Sequence, residues 1–246
     1  MNPTGHTTLP PSLRHLVTRR DTWLGCGSLS AANSDGHLQP HLPSGFAALD
    51  AQLRDGGWPL GSTLEVLSET GGLGAMGLFL PAMETMRPQQ RWLVFIAPPH
   101  TPYAPLLEAR GIDVRQVLLV HPRSREELLW STEQALRSNT CGAVFSWLGD
   151  RAWRYAELRR LQLAAADGDS LAVLFRHRQA AHEHAPAALR LEMRAYREVR
   201  ILKQRGGRQG VDIYLPPEDD QPQQPQLWEL PADSAQSLSP AAAPLQ

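Results

Sequence analysis

The strongest constraint in this sequence is a series of short, almost uninterrupted apolar segments separated by stretches with helical periodicity. Residues 63–67 (Thr-Leu-Glu-Val-Leu), 92–96 (Trp-Leu-Val-Phe-Ile), 117–120 (Val-Leu-Leu-Val), 142–145 (Gly-Ala-Val-Phe) and 171–175 (Leu-Ala-Val-Leu-Phe) each have strand length. Strands covered on both faces lose the in-out alternation of a half-exposed sheet and read as continuous hydrophobic runs. Between them, Ser124-Arg-Glu-Glu127 is a capping box that leads into Leu128, Leu129 and Leu136, and residues 153–166 carry an apolar stripe beside Arg159 and Arg160. This β-α alternation predicts an α/β domain with a mostly parallel sheet flanked by helices. Further along the period becomes two, with Leu189, Leu191 and Met193 facing one way and Arg190, Glu192 and Arg194 the other. Antiparallel edge strands from about 188 to 203, on the C-terminal side of the sheet, follow from that pattern.

The flanks read differently. Residues 1–40 are rich in Pro, Ser, Thr, Gly and His, with an amphipathic candidate near 13–20, and are expected to form a flexible arm. Residues 41–208 hold the domain. From 209 to 246 the chain is expected to be mostly disordered, because Pro-Glu-Asp-Asp-Gln-Pro and Pro-Ala-Ala-Ala-Pro cannot offset ordering entropy by burial. Deleting 209–246 should then leave the fold intact. Trp228, within Leu227-Trp-Glu-Leu230, is an apolar island and a candidate docking motif.

The 246 residues are enough for one core without disulfides or metals, and a formal net charge of -1 excludes a polyelectrolyte character for the whole chain. Any basic patch must be local, and it must be built of arginine, since Lys203 is the only lysine. Cys26 and Cys141 lack the spacing of a zinc site or a disulfide framework, which suits a reducing cytoplasm. No segment has the apolar length of a signal peptide core or a membrane span, so no membrane role is expected.

In an α/β nucleotide-binding domain, phosphate is held at the turn after the first strand. Here that turn is Ser68-Glu69-Thr-Gly71-Gly72-Leu-Gly74-Ala75-Met76. The glycines supply backbone freedom, but the Lys-Ser/Thr ending that grips the β/γ-phosphates and magnesium is replaced by Ala75 and Met76. Glu69 adds a charge that repels phosphate. The strand ends after 96 and 146 carry prolines, Ser146 and Trp147 in place of a magnesium-binding or catalytic carboxylate, and Asp150 is the nearest acid. The loop reads as degenerate, with no cofactor and no hydrolysis expected.

Residues 42–50 (Leu-Pro-Ser-Gly-Phe-Ala-Ala-Leu-Asp), 56–61 (Gly-Gly-Trp-Pro-Leu-Gly) and Glu65 resemble the approach to the phosphate loop in RecA and its relatives. Residues 95–113 resemble the next RecA strand and helix, with Pro99 standing where that family keeps its catalytic glutamate. More specifically, residues 97–105, 130–137, 141–144, 158–165 and 203–206 resemble the ImuA family of translesion-synthesis accessory proteins, which is related to the SulA cell-division inhibitors. The resemblance spans about residues 42–208. It implies a RecA-like core without ATPase motifs and a non-catalytic adaptor role in the SOS response. It also implies three partners: the Y-family polymerase homologue ImuB, RecA and, indirectly, an error-prone C-family DNA polymerase. The alternative it leaves open is SulA-like inhibition of the tubulin-like division GTPase.

Several surfaces are candidates for partner or DNA contact. Arg197, Arg200, Lys203, Arg205 and Arg208, near the flexible Gly206-Gly207 turn, form the most concentrated basic group, and Arg159 with Arg160 lies on a helix. Tyr196 is the only aromatic residue interleaved with the first group, which argues against a stacking platform for single strands. Trp58, Trp130 and Trp147 are expected to fill the core. His177, His182, His184 and Glu183 lack convergent ligand spacing and are expected to be solvated loop residues.

Overall fold

The computed structural model describes residues 41–69, 75–86 and 90–216. The sheet-forming runs appear where the hydrophobic pattern places them. They are β3 (Thr63–Ser68), β4 (Trp92–Ile96), β5 (Val117–Val120), β6 (Cys141–Trp147) and β7 (Leu171–His177), continued by β8 (Leu189–Ala195), β9 (Glu198–Gln204) and β10 (Val211–Tyr214). Together they make one eight-stranded sheet in the order β10-β9-β8-β3-β7-β6-β4-β5. The pairings from β8 across to β5 are parallel, and β8-β9 and β9-β10 are antiparallel. The fold is therefore mixed α/β with a mostly parallel sheet flanked by helices. A separate two-residue pair joins β1 (His41–Leu42) to β2 (Trp58–Pro59), with the short helix α1 (Ala47–Asp50) between them.

Alternate residues of each central strand enter different cores, which explains why the strands read as continuous apolar runs. Leu93, Phe95, Phe145, Val173 and Phe175 pack with Leu49, Trp58, the 3₁₀ segment Ala75–Phe79, α2 (Leu80–Thr85) and α3 (Ala104–Ala109). Val94, Ile96, Val144, Ala172 and Leu174 pack on the other face with α4 (Arg125–Arg137) and α5 (Tyr155–Asp167). Among the described residues, no helix is long and apolar enough to cross a membrane.

Helix starts are set by local chemistry. At α4 the Ser124 hydroxyl accepts a hydrogen bond from the Glu127 amide at 3.1 Å, while the Glu127 carboxylate caps the Arg123 amide at 2.7 Å. One half of the expected capping box is present and the other is displaced by one residue. Ser124→Ala is expected to cost about 1 kcal/mol, read as a melting-temperature drop of roughly 2–4 °C by circular dichroism. α5 begins two residues later than the stripe from 153 suggested, because Trp153 folds under the loop instead. Its indole donates to the Leu148 carbonyl at 2.9 Å and carries the Arg125 guanidinium 4.0 Å above its ring.

Two expectations need correction. Trp58 and Trp147 are buried as expected, but Trp130 is 63% exposed on α4, because the buried face of that helix is set by Leu129, Thr132, Glu133 and Leu136. The period-two strand is present, and on its polar face Arg190 and Glu192 are buried under the segment that follows β7. The boundary at 209 is also too early. Val211–Tyr214 pairs with β9, Ile213 and Leu215 enter the core, and the Leu215 amide donates to the Arg197 carbonyl at 2.8 Å. The compact unit runs to Leu215.

Candidate functional site

The phosphate-loop corner lies at the C-terminal end of β3. Gly71, Gly72 and Gly74 fall outside the described residues. The residues on either side of them determine its chemistry. Ser68 is buried at the end of β3. Ala75, at the position of a phosphate-gripping lysine, is fully buried, and Phe79 behind it packs at a tilt against Trp58 and Phe145. A side chain there points into hydrocarbon, not toward a ligand. Glu69 is not left to repel an anion. It takes a hydrogen bond from Arg178 at 2.7 Å, and Arg178 also grips Glu192 at 2.6 Å. Glu192 first, then Glu69, hold the Arg178 pKa above its ordinary value, so the guanidinium stays charged and its charge is already matched by two carboxylates. Ser146 turns away from the strand end to bond Thr132 on α4 at 2.8 Å, and Asp150 is exposed beyond it.

Next to this corner, and unread in the sequence, lies a buried charge network. The Glu65 carboxylate, 1% exposed, accepts from Arg176 at 3.2 Å and from Arg190 at 2.7 Å. Arg190 also donates to the carbonyls of Ala180 at 2.6 Å and Glu183 at 2.9 Å, and Arg176 reaches the Glu183 carboxylate at 2.5 Å. The segment after β7 is thus clamped to the sheet by charge, and Glu183 belongs to the clamp, not to a solvated loop. His182 and His184 are exposed on either side of it.

The predicted basic group does not assemble as a unit. β9 carries Arg197 and Arg205 to opposite ends of the hairpin. Arg197 lies over the Tyr196 ring at 5.2 Å, and Arg200 faces Asp212 at 3.5 Å. Lys203 bends inward to donate to the Ala185 carbonyl at 2.7 Å. Burial first, then Arg190 and Arg205, push its pKa down. Arg208 is exposed. Arg160 is paired with Glu133 at 2.6 Å. Trp228 lies outside the described residues.

What the fold does bring together is Arg205, Arg159 and a residue not singled out in the sequence, Arg54. The Arg54 amide donates to the Gln204 side chain at 2.9 Å, and its guanidinium lies over the Arg205-Gly206 turn, reaching the Arg205 carbonyl at 3.4 Å. Gly206 has φ +70°, and a Cβ there would sit 2.6 Å from the Arg54 Nη1, so the turn needs glycine twice over. Burial, then Arg159 and Arg54, lower the Arg205 pKa. The available sequence signals were the paired glycines at 56–57 and 206–207, which mark two turns; nothing local said that they meet.

Against known proteins, the match falls on the β3-to-β7 part of this architecture. Residues 63–172 match the sequence model of the family described as cell division inhibitor SulA. That stretch is similar to SulA. The cell division inhibitor SulA of Edwardsiella piscicida is 33% identical over 97 residues, covering 39% of this chain and 56% of that protein. Protein RecA of Acholeplasma laidlawii is 31% identical over 108 residues, covering 44% of this chain and 32% of the relative. The chain therefore spans about half of one curated relative and about a third of the other. Among solved structures, SulA from Pseudomonas aeruginosa shares 26% identity over 46% of this chain and 97% of its own, with a TM-score of 0.37.

Proposed function

We propose that this chain is a non-catalytic binding protein of the DNA-damage response that restrains cell division in the manner of SulA, by engaging the tubulin-like division GTPase. The observation that carries this reading is the similarity of residues 63–172 to the SulA family. The phosphate corner supports it. Ala75 is sunk in the core and Arg178 is shared between Glu69 and Glu192, so none of these described residues is placed to grip a triphosphate or its metal. A domain of this kind acts through its surfaces.

A second reading is favoured by two specific observations. The SulA match stops at residue 172, yet the sheet continues through β8, β9 and β10, and the chain also resembles a RecA protein. In this reading the RecA-like core is an adaptor for error-prone translesion synthesis that binds an ImuB-like Y-family polymerase homologue and RecA, with a C-family polymerase joined indirectly.

One experiment separates the two. The purified full chain is immobilised and offered the division GTPase, the ImuB-like protein and RecA in separate binding assays. Retention of the GTPase together with slower GTP-dependent polymerisation is the expected result. Retention of the ImuB-like protein or RecA with no hold on the GTPase would remove the first reading in favour of the second.

A further inference from the structure

A turn of like charges is uncommon unless something neutralises it, and the Arg54–Arg159–Arg205 group has few internal counter-charges. A chain of hydrogen bonds fixes its geometry. The Arg205 amide donates to the Ala188 carbonyl at 2.8 Å, the Ala188 amide to the Thr63 carbonyl at 2.9 Å, and the Thr63 amide to the Gln162 side chain of α5 at 3.1 Å. Gln162 also takes the Thr63 hydroxyl at 2.6 Å, so α5 is pinned across the start of β3. Arg159, one turn earlier on the same helix, is thereby held on the flank where β9 ends.

Arg54 contributes from the α1–β2 connection, with its backbone tied to Gln204 and its guanidinium against Gly206. Its one carboxylate neighbour among the described residues is Asp55, at 3.8 Å. Neither Arg159 nor Arg205 has a side-chain hydrogen bond or ion pair to any described residue. By contrast Arg125, Arg160, Arg176, Arg178 and Arg190 are each engaged by a carboxylate. Tyr155, at the start of α5, is 54% exposed and stands one turn before Arg159 on the same face of that helix.

We propose that Arg54, Arg159 and Arg205 form a phosphate-binding site for the backbone of single-stranded nucleic acid, with Tyr155 offering a ring on which an adjacent base stacks. Guanidinium forks match phosphate oxygens in pairs, which suits a site made of arginine alone. An exposed aromatic beside the cations is what a single strand uses and a duplex cannot reach. The residues come from three separate parts of the chain that hydrogen bonds tie together, the Thr63–Gln162 pair buried and the Arg54–Gln204 pair part-buried, so the backbones that carry the site are placed before any ligand arrives. The inference is independent of which protein partner the chain has, and its failure leaves the partner assay unaffected.

The test uses the full chain and a fluorescein-labelled oligo-dT of about 20 nucleotides, longer than a typical single-strand footprint, read by anisotropy at about 50 mM salt. Saturable binding is expected. Arg159→Ala and Arg205→Gln should each weaken it at least about tenfold and lower the slope of log affinity against log salt by about 1. Tyr155→Ala should weaken the single strand by about tenfold and leave binding of a duplex of the same sequence unchanged. Arg115→Ala, at a surface arginine paired with Asp113 away from the site, should change nothing. Thermal melts of each variant separate loss of binding from loss of fold.

Four outcomes overturn the proposal: no binding by the intact chain; unchanged binding by both arginine variants; arginine-dependent binding of poly-glutamate without binding of DNA, which would make the occupant an acidic protein segment; or displacement of the oligonucleotide by inorganic phosphate but not by chloride at equal ionic strength, which would make it a free-phosphate site.

Discussion

Glu65→Ala is expected to be the most damaging single substitution outside the apolar core, at about 3–5 kcal/mol. Among the described residues Glu65 is the one carboxylate that bridges Arg176 and Arg190, whose side chains are 2% and 6% exposed, while Arg176 also meets the Glu183 carboxylate. Removing Glu65 leaves two guanidiniums facing each other in a buried site, Arg176 with only the Glu183 carboxylate and Arg190 with only backbone carbonyls, and a buried cation that loses its charge partner carries a large desolvation penalty. The loss is a large fraction of the ~5–15 kcal/mol that holds an ordinary domain together. For a domain of this size it corresponds to a fall in melting temperature on the order of 10 °C. The sign reverses if the whole network is exchanged. Glu65→Leu combined with Arg176→Met and Arg190→Met removes charge and counter-charge together and should recover most of the stability, because the Coulombic attraction of a buried network only offsets the cost of drying it. Calorimetric melts of the single and triple variants decide the matter. A single variant melting within about 2 °C of the parent would mean that water reaches these groups.

The triple variant should separate stability from function as well. Arg190 holds the carbonyls of Ala180 and Glu183, so its loss frees the segment after β7 even when the melting temperature returns. That segment lies between the SulA-like stretch, which ends at residue 172, and the β8–β10 meander. If partner binding depends on the meander's position, a stable variant with an unclamped segment will bind less well.

The central strands were legible because burial on both faces imposes a composition that few other environments produce, and the Ser124 cap was legible because its hydrogen bond is local. What failed were inferences that depended on which elements meet. Trp130 looked like core because it is large and apolar, but helix phase, fixed by Leu129 and Leu136, turns it to solvent. The alternation of Arg190 and Glu192 with Leu189 and Leu191 reports two faces without saying whether the second is wet. Glu65 sat in a strand that was read as apolar, and its partners lie 111 and 125 residues away. The basic site shows the same limit: five cations close in sequence were dispersed by an extended hairpin, while three from distant segments converged. Local spacing reports a helix face well and a strand poorly, since a strand carries side chains apart at about 3.3 Å per residue.

The reach of the domain past residue 208 leads to the second large effect. A chain ending at Arg208 loses β10, and with it Ile213, 7% exposed, and Leu215, 1% exposed. Truncating a buried Ile or Leu costs about 2–5 kcal/mol at each site, so losing both side chains and the pairing of Val211–Tyr214 with β9 approaches the whole stability of the domain. β9 would also become the edge of the sheet, with its amides and carbonyls open to pairing with other chains. A chain ending at Pro216 keeps all of these contacts and is expected to melt as the full chain does, because the composition beyond it offers little to bury. The shorter chain should lose its cooperative transition or melt at least about 10 °C lower, and it should aggregate on concentration. Equal melting temperatures for the two truncations would show that β10 adds nothing to the core and would return the domain boundary to 208.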